Sequence, residues 1–241
     1  MPRPPAPKAK VKQPSGPPMG LIGLVTLVLI AVVAVVVYLA VRGDGLTAQG
    51  GASTLPEGGG IAVTSEATGV PDVHVYEDFQ CPFCAQLEET SGSAISEAAA
   101  AGQINLTYTF MSFLDGSLGN DASARAANAA VCVADAGQVS DFVEGVFAQQ
   151  PETEGDGYPD QVFLDVAQDV GIEGADLDTF TTCVQEQTYA PYVQDMAERA
   201  NKDGVTSSPV VMIDGEPVGQ DDLGRLLQDP TSFSDILAER S

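Results

Sequence analysis

The sequence predicts an α/β fold with an inserted helical subdomain, preceded by one membrane-spanning helix. Two β-branched apolar runs, separated by a helical stretch, lie within residues 72–110. Residues 121–200 are helical by spacing and composition, and residues 209–218 return to an apolar run with an Asp-Gly turn signal. Strands on both sides of a helical block indicate one sheet whose chain is interrupted by a helical insertion at about 119–203.

Individual elements follow from local pattern and from Gly and Pro positions. We expect strands at residues 72–76, 104–110, 209–213 and 216–218. The expected helices cover residues 82–101, 122–136, 139–149, 159–170, 177–187, 191–201, 221–227 and 232–240. Pro82 suits the first turn of its helix, because its missing N–H would be unpaired there in any case.

The N-terminal part divides into three predicted segments. Residues 1–20 are Pro- and Lys-rich and predict a disordered cytoplasmic tail. Residues 21–41 are almost wholly apolar and long enough to span a bilayer, so we expect an uncleaved transmembrane helix. A cleaved signal peptide is the alternative, and a mature protein beginning beyond residue 41 would support it. Residues 42–60 predict a flexible linker before a domain at 61–241.

Charge is distributed unevenly along the chain. Four bases and no acid precede residue 21, whereas all 34 acidic residues follow residue 41. The basic end predicts a cytoplasmic N-terminus, which sends the rest of the chain outside the cell membrane as a single-pass protein. The acidic remainder repels phosphates, so no nucleic-acid partner is expected.

Cys81 and Cys84 form a C-x-x-C motif at a predicted helix start. There the helix dipole and unpaired N–H groups stabilise a thiolate on the first cysteine, and the second is close enough to resolve a mixed disulfide. A zinc site is an alternative, but it usually needs four Cys or His ligands and the chain has one His. A purely structural disulfide at 81–84 is the other alternative, although so short a loop constrains the unfolded chain little.

Cys132 and Cys183 lie in the predicted helical block, and neither has a cysteine nearby that could resolve a mixed disulfide. We interpret them as one structural disulfide of an exported protein, with two buried free thiols as the alternative. A loop of that length would contribute roughly 4 kcal/mol in the chain-entropy model.

The motif at residues 78–84 (Asp-Phe-Gln-Cys-Pro-Phe-Cys), followed by residues 204–209 (Gly-Val-Thr-Ser-Ser-Pro), resembles the DsbA-like branch of the thioredoxin superfamily. The likeness covers roughly residues 60–240. An Ala-rich segment with Cys132, and residues 180–183 (Phe-Thr-Thr-Cys), resemble the bridged, membrane-anchored actinobacterial type. The resemblance implies a thioredoxin fold with an inserted α-helical subdomain.

The resemblance also implies residue roles. Cys81 would be the attacking and attacked sulfur, and Cys84 the less exposed resolving one. Pro209 would be a cis-proline facing the pair, leaving the Ser208 backbone free to pair with a substrate strand. An ordinary trans proline at the start of a strand is the alternative for Pro209.

One position departs from the family pattern. Many relatives carry an acid six residues before the first cysteine, and this chain has Val75 there. Glu77 is a candidate proton relay in its place, with a solvated strand-end residue as the alternative. No basic residue flanks the motif, so we expect a smaller depression of the Cys81 pKa than in the strongest oxidants.

The function implied is an extracytoplasmic thiol–disulfide oxidoreductase that acts oxidatively on exported proteins. A membrane redox partner, plausibly quinone-linked, would recycle it, and no cofactor or metal is expected. A disulfide reductase or isomerase, and a non-catalytic peptide-binding module, are the alternatives. The sequence does not fix the direction of electron flow, because that depends on the reduction potential of the 81–84 pair.

Overall fold

A mixed β-sheet forms the centre of the domain. The computed structural model describes residues 59–64 and 67–240. The strands are β1 (Ile61–Ala62), β2 (Asp72–Glu77), β3 (Asn105–Phe110), β4 (Val210–Ile213) and β5 (Glu216–Pro217). Their order across the described sheet is β1-β3-β2-β4-β5, which makes β2 the central strand.

Strand β2 pairs in parallel with β3 and antiparallel with β4. Val75 lies opposite Tyr108 in one pairing and opposite Val211 in the other, and all three side chains are buried on one face. Tyr76, which points to the other face, is buried as well. Burial on both faces is usual for a central strand covered by helices on each side. The carboxyl end of β2 therefore delivers the chain directly into the core.

Among the described residues, helices connect the strands of the sheet and follow the last one. In chain order they are α1 (Pro82–Leu87), α2 (Ser93–Ala100), α3 (Phe113–Leu118), α4 (Ala122–Cys132), α5 (Val139–Phe147), α6 (Asp160–Asp169), α7 (Gly174–Glu186), α8 (Ala190–Lys202), α9 (Gln220–Leu226) and α10 (Ser232–Arg240). A π-helical turn, Glu88–Gly92, joins α1 to α2, and a 3₁₀ turn, Ala134–Ala136, follows α4. Helices α3 to α8 lie between β3 and β4 in the chain.

The helical subdomain and the sheet share one hydrophobic core. Phe79 stacks on Phe110 from the sheet at 4.7 Å between ring centroids, and on Phe147 from α5 at 4.8 Å. Offset aromatic pairs at this separation add to the free energy gained by burying the rings. The residue two positions before Cys81 is thus fixed by both parts of the fold.

The predicted α/β sheet with a helical block between its strands is confirmed, with local differences. The helix predicted over 82–101 is divided by the π-helical turn, and the one predicted over 122–136 ends its α-helical part at Cys132. Strand β1 and helix α3 were not predicted. β1 is only two residues long, and α3 contains Gly116, which disfavours helix.

The predicted tail (1–20), the predicted transmembrane helix (21–41) and residues 42–58 of the predicted linker lie outside the described residues. Among the helices that the structure does describe, none combines the length and the apolar character needed to cross a bilayer.

Candidate active site

Cys81 and Cys84 lie where strand β2 turns into helix α1. The Cys81 N–H donates to the Asp78 carbonyl at 2.8 Å, which closes the turn, and Cys81 then caps the helix with extended backbone angles. Pro82 occupies the first helical turn, as the sequence predicts. Cys81 is 7% exposed and Cys84 is fully buried, whereas Phe83 between them is 59% exposed.

Both sulfurs are free thiols in this structure, and their acidities differ. The pKa of Cys81 is lowered to about 6, chiefly because the Cys84 thiol donates a hydrogen bond to it. Burial opposes this lowering, whereas contacts from Ser208 and the helix-start N–H groups of Cys84 and Phe83 add to it. Cys81 is therefore mostly thiolate at neutral pH, with the modest depression expected where no cation is near.

Cys84 has the opposite tendency. Its complete burial raises its pKa well above the usual range, and the hydrogen bond that it donates to Cys81 and the nearby Glu77 carboxyl raise it further. Of the two sulfurs, only Cys81 combines thiolate character with access to the surface. This is the asymmetry that disulfide exchange requires, with Cys81 outermost and Cys84 behind it.

Ser208 and Pro209 face the sulfur pair from the segment that leads into β4. The Cys81 Sγ lies 3.5 Å from the Ser208 carbonyl oxygen, and the Ser208–Pro209 peptide bond is cis. A surface groove of about 350 Å³ continues from here, lined by Phe83, Ser208, Pro209, Leu223 and other residues of β4 and α9. The structure thus brings together four of the residues that the sequence singles out.

Side chains from the helical subdomain hold the turn before Cys81. Gln150 donates from Nε2 to the backbone carbonyls of Phe79 at 2.8 Å and Cys81 at 3.2 Å, and the Tyr158 hydroxyl donates to the Phe79 carbonyl. Sequence reasoning missed both residues, because they lie 71 and 79 positions from Phe79 along the chain. Only the helical insertion's position between β3 and β4 hints that it packs over the motif.

Asp78 and Gln80 form a second set of contacts that the sequence did not reveal. One oxygen of the buried Asp78 carboxyl accepts hydrogen bonds from the Gln80 N–H and the Ser123 hydroxyl, and the other accepts one from the Leu114 N–H. Burial is the main cause that raises the pKa of Asp78 to about 6, against the lowering effect of these donors. The contacts tie the motif to α3 and α4.

Glu77, the candidate relay, is fully buried at the end of β2. The alternative of a solvated strand-end residue is therefore wrong, because the helices enclose this end of the strand on both faces. Burial raises the pKa of Glu77 well above its usual range, and the neighbouring Glu88 carboxyl adds to the effect. Val75, at the position where relatives carry an acid, is also fully buried and contacts the core.

Cys132 and Cys183 form a disulfide with an S–S distance of 2.05 Å. It joins the end of α4 to α7 within the helical subdomain. In the described residues no group of three or more His, Cys, Asp or Glu side chains is arranged to hold a metal ion. Cys81 and Cys84 are the free thiols of the chain.

The central strand leads into Cys-Pro-Phe-Cys at the start of a helix, and a Ser-Pro segment before the terminal hairpin faces this motif. Together these features define a thioredoxin-fold redox site. The similarity of this chain to known proteins covers far more residues than the motif. A family model described as Thioredoxin matches residues 64–229, and the chain belongs to that family. Its large helical insertion agrees with the resemblance of its sequence to the DsbA-like branch. No curated protein sequence matches the chain significantly.

Solved structures similar to this chain align over about three quarters of its length. MdbA from Actinomyces oris, a thiol-disulfide oxidoreductase, is 20% identical with a TM-score of 0.65, over 77% of this chain and 90% of its own. MdbA from Corynebacterium diphtheriae is 24% identical with a TM-score of 0.59, over 73% and 91%. BdbD from Bacillus subtilis is 18% identical with a TM-score of 0.57, over 73% and 90%. At sequence identities below 25%, this structural similarity shows that the proteins share a fold.

Proposed function

We propose that the protein is an extracytoplasmic thiol–disulfide oxidoreductase that oxidises exported proteins through the Cys81–Cys84 disulfide. The acidity difference between the two sulfurs is the observation that carries the proposal. A lowered Cys81 pKa stabilises the reduced protein, which makes the oxidised form a better oxidant. The solved structures named MdbA are themselves described as thiol-disulfide oxidoreductases.

The exchange has two steps. A client thiolate attacks the Cys81 Sγ of the oxidised protein, the Cys81–Cys84 bond breaks, and Cys84 leaves. A second client thiolate then attacks the client sulfur of the mixed disulfide, and Cys81 leaves as a thiolate. The client gains a disulfide and loses two electrons, which now reside on the two cysteines. The Ser208 backbone would pair with the client strand while Pro209 and Phe83 contact its side chains.

Recycling requires a partner that removes these electrons. The apolar segment at 21–41 and the bases before it favour a membrane anchor with the catalytic domain outside, where a membrane-bound, quinone-linked oxidase could reach Cys81. Protease treatment of intact cells and of lysed cells checks this arrangement. A domain protected in intact cells, or one recovered without its N-terminal segment, would contradict the anchored model.

The activity itself is tested by refolding a reduced disulfide-containing protein with the oxidised full chain. We expect catalysis by the wild type and none by Cys81→Ser. Cys84→Ser, incubated instead with a client that already carries a disulfide, should accumulate a mixed disulfide through Cys81, because no second cysteine is present to resolve it. Full activity of Cys81→Ser would refute the proposal and would leave a non-catalytic peptide-binding module. Equilibration with glutathione measures the reduction potential of the 81–84 pair and so gives the direction of electron flow. A potential of about −120 mV indicates an oxidant, and one of about −270 mV indicates a reductant.

A further inference from the structure

The Gln150 side chain reaches the redox motif from the helical subdomain. Gln150 follows the end of helix α5 by three residues, and its Nε2 donates to the backbone carbonyls of Phe79 at 2.8 Å and of Cys81 at 3.2 Å. Both oxygens can only accept hydrogen bonds, so the amide nitrogen has to face them. The second of these carbonyls belongs to the residue that carries the reactive sulfur.

Three N–H donors surround the Cys81 carbonyl oxygen. Besides Gln150, the Cys84 nitrogen lies 3.1 Å from it and the Ala85 nitrogen 3.3 Å from it, both in the first turn of α1. A carbonyl oxygen has two lone pairs, so two of these donors are enough to satisfy it. Gln150 and Ala85 can fill that role, which leaves the Cys84 N–H available to another acceptor.

The Cys81 sulfur is the acceptor that can use this N–H. The N–H groups of Phe83 and Cys84 both face the sulfur and contribute to the lowered pKa of Cys81. The Cys84 N–H is therefore shared between the oxygen and the sulfur of one residue. A hydrogen bond to a charged acceptor is roughly twice as strong as one to a neutral acceptor. The N–H thus favours the sulfur when the sulfur is a thiolate, provided that another donor serves the carbonyl.

The loop that carries Gln150 is fixed against the start of helix α4. The side-chain amide of Asn120 donates to the Gly155 carbonyl at 2.9 Å. A Cβ added at Gly157 would lie 2.7 Å from the Cβ of Ala122, so the loop lies directly on the helix. This anchoring places the Gln150 amide in advance, and a donor placed in advance stabilises charge without a cost of reorganisation.

We propose that Gln150 is a positioning residue for disulfide exchange: by donating to the Cys81 carbonyl, it releases the Cys84 N–H to the Cys81 thiolate. The part of this inference that concerns the reaction rests on the proposed function. In the second step of exchange, a client thiolate bonds to the client sulfur of the mixed disulfide. The bond from that sulfur to Cys81 breaks, and its electron pair remains on Cys81 as a thiolate. The released N–H stabilises this thiolate and so favours departure of the oxidised client.

The effect of Gln150 belongs to the reduced protein. In the disulfide form the Cys81 sulfur is uncharged, and uncharged sulfur is a weak acceptor, so the Cys84 N–H gains little by turning away from the carbonyl. Gln150 therefore stabilises the reduced form more than the oxidised form, which makes the disulfide more oxidising. No basic residue flanks the motif, so the thiolate depends on neutral donors such as this N–H.

The surroundings supply no cation that could replace this donor. In the described part of the chain, the titratable groups that face Cys81, or that line the cavity of about 250 Å³ beside Gln150, are Glu77 from β2, Cys84 from α1, and Glu152, Glu154 and Tyr158 from the loop after α5. All of them are neutral or negative. They stay the same in a variant that changes only Gln150, so a change in the acidity of Cys81 reports the lost donor.

The test is the pKa of Cys81 in the reduced full chain, measured by ultraviolet absorbance of the thiolate. Gln150→Met keeps the approximate length and shape of the side chain and removes the donor. It should raise the Cys81 pKa by about 0.5 to 1 unit, because part of one hydrogen bond to a charged group is lost. Gln149→Met is the matched control: the same chemical change at the exposed neighbouring residue should leave the pKa at the wild-type value.

A second substitution carries the same test should Gln150→Met fail to fold. Gln150→Glu keeps the polarity and shape of the side chain, but its carboxylate cannot donate and adds a negative charge. It should raise the Cys81 pKa at least as much as Gln150→Met.

Equilibration with glutathione at two pH values shows whether the effect belongs to the thiolate. Cys81 of the reduced wild type is ionised at about pH 8, since its pKa is about 6. Gln150→Met should therefore be about three- to tenfold less oxidising than the wild type at that pH. At about pH 5 the reduced Cys81 is mostly protonated in both proteins, and their equilibrium constants should agree. A variant that merely loosened the fold would not show this pH dependence.

Tyr158→Phe separates the proposed effect from anchoring of the loop, because the Tyr158 hydroxyl donates to the Phe79 carbonyl and not to that of Cys81. It should lower the free energy of unfolding but shift the Cys81 pKa less than Gln150→Met does. An unchanged Cys81 pKa in folded Gln150→Met, or an equal shift in Tyr158→Phe, would overturn the inference and leave the wild-type activity untouched. An inactive wild type would overturn the proposed function instead, and the pKa shift could still be measured.

Discussion

The Cys84 side chain makes the largest contribution to the lowered pKa of Cys81, and removing that side chain gives a direct test. The largest cause that lowers the Cys81 pKa to about 6 is the hydrogen bond from the Cys84 thiol. Cys84→Ala removes the donor, whereas Cys84→Ser keeps a hydroxyl that can take its place. The two variants differ by one oxygen atom and otherwise leave the helix start unchanged.

The expected size follows from the strength of such a contact. A hydrogen bond to a charged group contributes about 1.5–3 kcal/mol, and one pKa unit corresponds to about 1.36 kcal/mol. Cys84→Ala should therefore raise the Cys81 pKa by about one to two units. The lower end is the better expectation, because Cys81 lies at the edge of the groove and solvent screens part of the charge.

Ultraviolet absorbance of the thiolate measures this pKa directly. With Cys132 and Cys183 in a disulfide, Cys81 is the free thiol left in either variant. The absence of Trp keeps the background low. Equal pKa values in Cys84→Ala and Cys84→Ser would refute the reasoning, since the helix start would then account for the acidity without help from Cys84.

Three further outcomes are expected. Replacing Cys132 and Cys183 together by Ala should lower the free energy of unfolding by roughly 4 kcal/mol in urea titrations, given the 51-residue separation of the bridge. Ser123→Ala removes a donor to the Asp78 carboxyl, and it should cost about 1–3 kcal/mol at neutral pH. Because the folded-state pKa of Asp78 is raised to about 6, the contribution of Asp78 to stability is greatest in acid and declines as pH rises through 6. The difference in free energy of unfolding between the wild type and Ser123→Ala should therefore widen over the same pH interval. Phe83→Ala should change the free energy of unfolding by less than about 0.5 kcal/mol, since the ring is 59% exposed, yet weaken binding of an unfolded client peptide in calorimetry.

Sequence reasoning located the sulfur chemistry because its signals are local. A strand, a C-x-x-C motif and a proline in the first helical turn lie within a few residues of one another, so no tertiary information is needed to place Cys81 at a helix start. The approach of Ser208 to Cys81 came from family resemblance, because 127 residues separate them and no local pattern joins them.

The environment of the sulfurs was harder to predict, since burial is a property of the whole fold. Glu77 is the charged last residue of an alternating strand, a position that is usually exposed to solvent, yet it is fully buried. Glu88 lies in a polar run, Glu-Glu-Thr-Ser-Gly, which gives no sign that a π-helical turn directs its carboxyl inward. Both residues became visible only when packing showed which charges lack a partner.

The hydrogen bond between the two cysteines shows how an acidic protein with no basic residue beside the motif maintains a difference in acidity between its two sulfurs. The Cys84 thiol lowers the pKa of Cys81 by donating a hydrogen bond to it, and the same contact makes Cys84 harder to ionise. The hydrogen bond that makes Cys81 reactive therefore makes Cys84 a poorer leaving group. Stabilising the thiolate with a cation would avoid this conflict, but no basic residue flanks the motif.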